Sequence, residues 1–168
     1  MNLANFLTVL RFICIPIFII LYINDSKISL IIFLIAGITD VLDGFVARKF
    51  NIETKIGAIL DPIADKFLVF SVYLLFYISS VIKPWIFFFI IGRDIAILSG
   101  WIIRYLITGK KDIKPSIFGK FTTFFEVSTA IVILTGFANS LVGNILLSIM
   151  VLFIILSAID YLIQGFTT

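Results

Sequence analysis

Six apolar stretches of about twenty residues each, divided by short polar breaks, leave this chain few ways to fold. They occupy residues 5–23, 29–48, 56–79, 84–107, 115–137 and 141–164. Each has the length that an α-helix needs to cross a bilayer, ~20 residues. With 61% of its residues hydrophobic and 14% charged, the chain falls outside the range of soluble domains, which are about half apolar and a quarter charged. No break is long enough to hold a soluble domain. The expected fold is an all-α integral membrane protein: a single domain over residues 1–168, built as a bundle of six transmembrane helices.

The charges give that bundle a direction. The net charge of +3 is small, and Lys and Arg gather in the short breaks, which reads as orientation rather than nucleic-acid binding. The second and fourth connections and their flanks carry Arg48, Lys49, Lys55, Lys110, Lys111 and Lys114, against Lys27 and Lys83 in the first and third. The positive-inside rule turns the richer connections, and with them both termini, towards the cytoplasm of a bacterial-type membrane. The N-terminus has no basic region and no small-residue cleavage site, so the first stretch is expected to be retained. Cys14 is the only cysteine, excludes an internal disulfide, and is expected in the core. Gly37, Gly92, Gly100 and Gly136 would let helices approach closely.

Four carboxylates in so apolar a chain need a reason. Asp40 and Asp43 are three residues apart and Asp61 and Asp65 four apart, so on helices each pair occupies one face. The polar residues 49–54 between them suit a connection between antiparallel helices. A reversal there brings both pairs to nearly the same depth, which places the active site near the cytoplasmic face. Unpaired, these groups would repel one another and lose hydration, so a cation belongs among them. The chain has no His, and the ligands on offer are oxygens. They favour Mg²⁺ or Mn²⁺, with Ca²⁺ a further candidate, over zinc, and four of them suit two ions. Gly44 and Gly57 admit a bulky polar ligand close to the backbone, while Arg48 offers a planar fork of donors that fits phosphate. Metal, arginine and glycine together describe a diphosphate site. A cation pathway lined by aspartates, with Arg48 as counter-charge, is the rival reading. A pathway should spread its charge across the membrane, whereas these acids gather at one end.

Other polar residues inside the stretches have two readings each. Asn5, Thr8 and Arg11 recur every three residues, either lining a site or starting an interfacial helix with Arg11 reaching the head groups. Arg93, Asp94 and Arg104 in the fourth stretch and Lys120 and Glu126 in the fifth either form structural ion pairs or build a basic pocket. Asp160, late in the sixth, either serves the site or meets the cytoplasmic interface, and the second is the reading taken.

The spacing D-x2-D-G-x2-A-R-x8-G-x3-D-x3-D is met by Asp40, Asp43, Gly44, Ala47, Arg48, Gly57, Asp61 and Asp65, and it resembles the signature of the CDP-alcohol phosphatidyltransferases. The motif covers 26 residues, and the hydrophobic layout of the whole chain is similar to that family. Residues 4–11 resemble its N-terminal Pro-Asn-x-Leu-Thr-x-x-Arg, with Ala4 in place of proline, and residues 119–123 its Gly-Lys-x-x-Thr element. The resemblance implies replacement of CMP in CDP-diacylglycerol by an alcohol. It implies that Asp40, Asp43, Asp61 and Asp65 hold two Mg²⁺ or Mn²⁺ ions. Asp65, one turn further into the membrane where a carboxylate becomes more basic, is also the expected general base. Asn5, Thr8, Gly44, Ala47, Arg48 and Gly57 would frame the CDP moiety. Size and motifs look most like the branch whose acceptor is sn-glycerol 3-phosphate, its phosphate taken by Lys120 with Arg93 or Arg104. Phosphatidylglycerol, inositol phosphate and serine are the rival acceptors, because Asp94 stands where that branch often shows glutamate, and Glu126 near a position that is often glutamine. Family members resemble homodimers.

Overall fold

A computed structural model describes residues 3–50, 57–108 and 116–166, with side chains at 13–39, 66–100, 116–161 and 163. Among the described residues there are six α-helices, one π-helical turn and no strand. They are α1 (Leu3–Asn24), α2 (Ser26–Phe50), α3 (Gly57–Ile78), α4 (Pro84–Thr108), α5 (Ile117–Val132) and α6 (Leu141–Phe166), with the π turn Ile133–Phe137 after α5. Each expected apolar stretch is thus a helix, with ends within three residues of the expected ones once the π turn is counted with α5. Two stretches, Ile117–Phe137 and Leu141–Tyr161, are long and apolar enough to cross a membrane among the described residues.

The chain divides into two compact units, the first comprising Met1–Ile78 with Leu134–Gly136, the second Ser79–Ile133 with Phe137–Thr168. In the first unit α1 packs on both α2 and α3. Phe18, fully buried, meets Phe33 of α2 at 6.3 Å between ring centroids, and Tyr22, one turn later, meets Phe76 of α3 at 5.9 Å. Cys14, Ala36, Leu68, Val72 and Tyr73 complete this core, and the expectation for Cys14 is met. The opposite face of α1 presents Ile20 and Ile23, 60% and 74% exposed, as suits a surface whose solvent is lipid.

The first break is shorter than expected, a single residue rather than the five, 24–28, between the first two stretches. Asp25 closes α1 through its N–H to Leu21 O at 2.7 Å, and its carboxylate accepts from Lys27 N at 2.8 Å, capping α2. One side chain thereby serves two helix ends, and Ser26 and Lys27 can be helical.

In the second unit α6 packs against both α5 and α4. Pro84 opens α4, where its missing N–H costs nothing. Phe153 of α6 stacks between Phe121 and Phe125 of α5, with centroids 5.3 and 5.0 Å away, and its carbonyl accepts from Thr122 Oγ1 at 3.0 Å. The π turn contains Gly136 at φ 89°, a left-handed conformation that glycine tolerates. Ser140 then caps α6, its Oγ accepting from Gly143 N at 3.0 Å.

The expectation for the glycines needs correction. A Cβ added at Gly37, Gly92 or Gly100 meets nothing within 4 Å among the described residues, so these positions do not serve close packing there. Close approach falls instead at Gly143, where a Cβ would lie 2.5 Å from the carbonyl oxygens of Phe137 and Ala138. Backbone cannot retreat as a flexible side chain can. Gly143→Ala is expected to cost about 1–3 kcal/mol and to lower the melting midpoint in detergent by about 2–10 °C. Gly92→Ala, with open space and better helix propensity, should hold or raise it. Equal midpoints for the two variants would contradict this account of the α5–α6 connection.

Candidate active site

Both halves of the aspartate motif lie on helices of the first unit. Asp40, Asp43, Gly44, Ala47 and Arg48 belong to α2, while Gly57 is the first residue of α3, which also carries Asp61 and Asp65. Helical spacing therefore applies, and each pair of acids shares one side of its helix. Asp43 comes seven residues before the end of α2 and Asp61 four after the start of α3. Both pairs thus stand within about two to three turns of the ends that residues 51–56 connect. The common attachment of α2 and α3 to α1 keeps the two halves in one unit. Asn5, Thr8 and Arg11 occupy the opening turns of α1. Side chains of all these residues lie outside the described ones, as does that of Arg104 in α4. The residue types that α2 and α3 carry there can still be judged by their chemistry. Four carboxylates and no nitrogen or sulfur fit a hard divalent cation such as Mg²⁺ or Mn²⁺.

A second polar cluster joins α4, α5 and α6 inside the second unit. Arg93, only 8% exposed, donates from Nη1 to Asp94 Oδ1 at 2.7 Å, and from Nη2 and Nε to Ser157 Oγ at 2.8 and 3.3 Å. The ion pair leaves Arg93 and Asp94 electrically balanced, which makes burial of both tolerable in an apolar chain. Ser116, the N-cap of α5, donates its hydroxyl to Asp160 and accepts from Gly119 N at 3.4 Å. Asp160 is thus engaged with the start of α5, a role that its place near the end of the sixth stretch did not suggest. Gly119 has a reason for lacking a side chain: a Cβ there would lie 3.3 Å from both Arg93 Nη2 and Tyr161 Oη. Lys120 follows it in the first turn of α5 and is exposed.

The structure therefore brings Arg93 against Gly119, the residue before Lys120. Arg104 stands eleven residues, about 16 Å, further along α4. Glu126, one turn beyond Thr122 on α5, is fully buried. Ser116, Ser157 and Tyr161 were not singled out from the sequence. The available signal was the spacing of Asp160 and Tyr161, three and four residues after Ser157 on a largely apolar helix.

With two acid-bearing helices and a buried arginine cluster in an apolar helical chain, the class is defined by comparison with known proteins. The family model described as CDP-alcohol phosphatidyltransferase matches residues 1–160, and the chain belongs to that family. It is accordingly a membrane-protein transferase. A CDP-diacylglycerol–glycerol-3-phosphate 3-phosphatidyltransferase of Aquifex aeolicus is 37% identical over 99% of this chain and 97% of its own length. One of Rickettsia typhi is 33% identical over 95% of this chain and 94% of its own. A cardiolipin synthase (CMP-forming)/mitochondrial hydrolase fusion protein of Schizosaccharomyces pombe is 37% identical over 62% of this chain and 18% of its own length. Family membership speaks for the transferase reading of the aspartates over a cation pathway.

Proposed function

We propose that the chain works as one domain, residues 1–168, that transfers the phosphatidyl group of CDP-diacylglycerol to sn-glycerol 3-phosphate. The products are CMP and phosphatidylglycerophosphate, an early phospholipid. The observation that carries this reading is likeness along nearly the full length, at 37% identity over 99% of the chain, to a relative named for that reaction. Six membrane-crossing helices, both termini in the cytoplasm of a bacterial membrane, and a site near that face belong to the same proposal, which helix lengths and the distribution of Lys and Arg support. A homodimer is part of the same reading.

The residues divide the work. Asp40, Asp43, Asp61 and Asp65 are the ligands for two Mg²⁺ or Mn²⁺ ions. Such ions, when bound, neutralise charge on a diphosphate and on the departing CMP. Arg48 donates to the diphosphate, and Gly44, Ala47 and Gly57 leave room for it beside the backbone, with Asn5 and Thr8 on the nucleotide. Lys120 with Arg93 receives the acceptor's phosphate and orients its free hydroxyl, Arg104 standing about 16 Å away along α4. That hydroxyl oxygen forms a bond to the phosphorus that bears the diacylglycerol. The bond from that phosphorus to the oxygen of CMP breaks, and CMP leaves with the electron pair. The hydroxyl proton passes to the Asp65 carboxylate, acting as general base.

The deciding experiment is CMP release from CDP-diacylglycerol by purified protein with Mg²⁺ or Mn²⁺, comparing sn-glycerol 3-phosphate, phosphatidylglycerol, inositol phosphate and serine. Release stimulated by sn-glycerol 3-phosphate, with the matching lipid formed, is the expected result; stimulation by phosphatidylglycerol alone would move the chain to cardiolipin synthesis. Asp61→Asn should leave below about one per cent of the activity in folded protein, since loss even of groups supporting a ligand costs 10–100-fold. Undiminished turnover would remove Asp61 from the ligand set. Lys120→Gln should raise the KM for sn-glycerol 3-phosphate about tenfold, the worth of one charge-assisted hydrogen bond. Its effect on the KM for CDP-diacylglycerol should be small, and equal rises would refute an acceptor role for Lys120.

A further inference from the structure

We propose that α6 sets the geometry of the acceptor site, with Ser157 and Asp160 as positioning residues: Ser157 aims the Arg93 guanidinium, and Asp160 seats the α5 turn that carries Lys120. The proposal rests on the reading of Arg93 and Lys120 as the cations that receive the acceptor's phosphate. Neither α6 residue belongs to the family motifs read from the sequence, and neither is placed on the substrate.

Three observations carry it. First, Ser157 is fully buried and its single oxygen takes both N–H groups on one edge of the guanidinium, Nη2 at 2.8 Å and Nε at 3.3 Å. Asp94 takes one N–H of Nη1 at 2.7 Å. Of the five donors of an arginine, three are thus committed among the described residues, and two N–H groups remain for a ligand. An arginine is long and has many rotamers; fixed at two sides, it has already lost the freedom that phosphate binding would otherwise take from it. Second, Asp160 lies one turn beyond Ser157 and accepts the hydroxyl proton of Ser116. That turns the oxygen of Ser116 towards Gly119 N, the cap that starts α5 just before Lys120. Third, Tyr161 Oη and Arg93 Nη2 would each lie 3.3 Å from a Cβ on Gly119, so the guanidinium and the phenol converge on the α5 backbone, where a side chain would crowd both. One face of α6 therefore contacts α4 through Ser157 and α5 through Asp160 and Tyr161. Those contacts tie the Arg93 guanidinium and the start of α5, where Lys120 stands, to the same helix.

The test is steady-state kinetics of the full chain in detergent with CDP-diacylglycerol and sn-glycerol 3-phosphate. Ser157→Ala is expected to raise the KM for sn-glycerol 3-phosphate about fivefold to tenfold. kcat and the KM for CDP-diacylglycerol should stay within about twofold. Ser157→Thr, which keeps the hydroxyl, should return the KM towards wild type. Asp160→Ala, which removes the acceptor of the Ser116 hydroxyl, should likewise raise the KM for sn-glycerol 3-phosphate alone, and an unchanged KM would remove Asp160 from the proposal. In an Arg93→Gln background Ser157→Ala should add nothing, since the residue acts through the missing guanidinium. If Ser157→Ala does not fold, Ser157→Cys, a weak acceptor of similar volume, replaces it with the same expectation. A fall in kcat with equal rises in both KM values would mean that Ser157 is merely structural and would overturn the proposal. It would also be overturned if Arg93→Gln raised the acceptor KM while Ser157→Ala left it alone. If Arg93→Gln itself leaves the acceptor KM unchanged, the phosphate-site reading fails first, and the proposal with it.

Discussion

In a chain this apolar, polar groups inside the fold cannot rely on water, so each must find its partner in the chain. That requirement explains why helices are the regular structure of the described residues, and why their ends are closed by side chains rather than left to solvent. Asp25, Ser116 and Ser140 each cap a helix, and Asp25 does so within the space of one residue. It explains as well why Thr122 reaches across to the Phe153 carbonyl, and why Arg93 has Asp94 beside it. Arg93 with Ser157, and Ser116 with Asp160, link α4, α5 and α6 through bonds of this kind.

The helices themselves were legible in the sequence because their breaks gather polar residues between long apolar runs, a contrast that hydropathy reads well. The aspartate motif was legible because fixed spacing on helices translates directly into shared faces. Which side of each helix turns inward was not. Phe18 is fully buried and Ile20 is 60% exposed, yet both are equally at home in lipid or in a core, so periodicity carries no contrast. The same difficulty hid the roles of the glycines: Gly37, Gly92 and Gly100 look like packing sites, while the backbone crowding is at Gly143 and the side-chain crowding at Gly119. Ser157 escaped notice because a lone serine in a long apolar run has many uses. Only the position of Arg93, 64 residues earlier, gives it one.

Arg93 and Asp94 show how a charged group can be kept inside such a protein. As adjacent residues on one helix they form a pair that needs no second element to neutralise it. Ser157, from a different helix, then adds direction without adding charge. Charge balance and orientation are thus supplied by separate parts of the chain, and a basic group can be buried without being consumed by its counter-ion.

The junction of α1 and α2 has a consequence for how this chain can vary over evolutionary time. With Asp25 as the only residue between two packed helices, the connection holds no slack. One additional residue there must be absorbed either by unwinding a terminal turn or by rotating α2 through about 100° about its axis. The second outcome would swing positions 40 and 43 to another side of the helix. Drift in length is therefore confined to other connections, and the first two helices behave under selection as one indivisible piece.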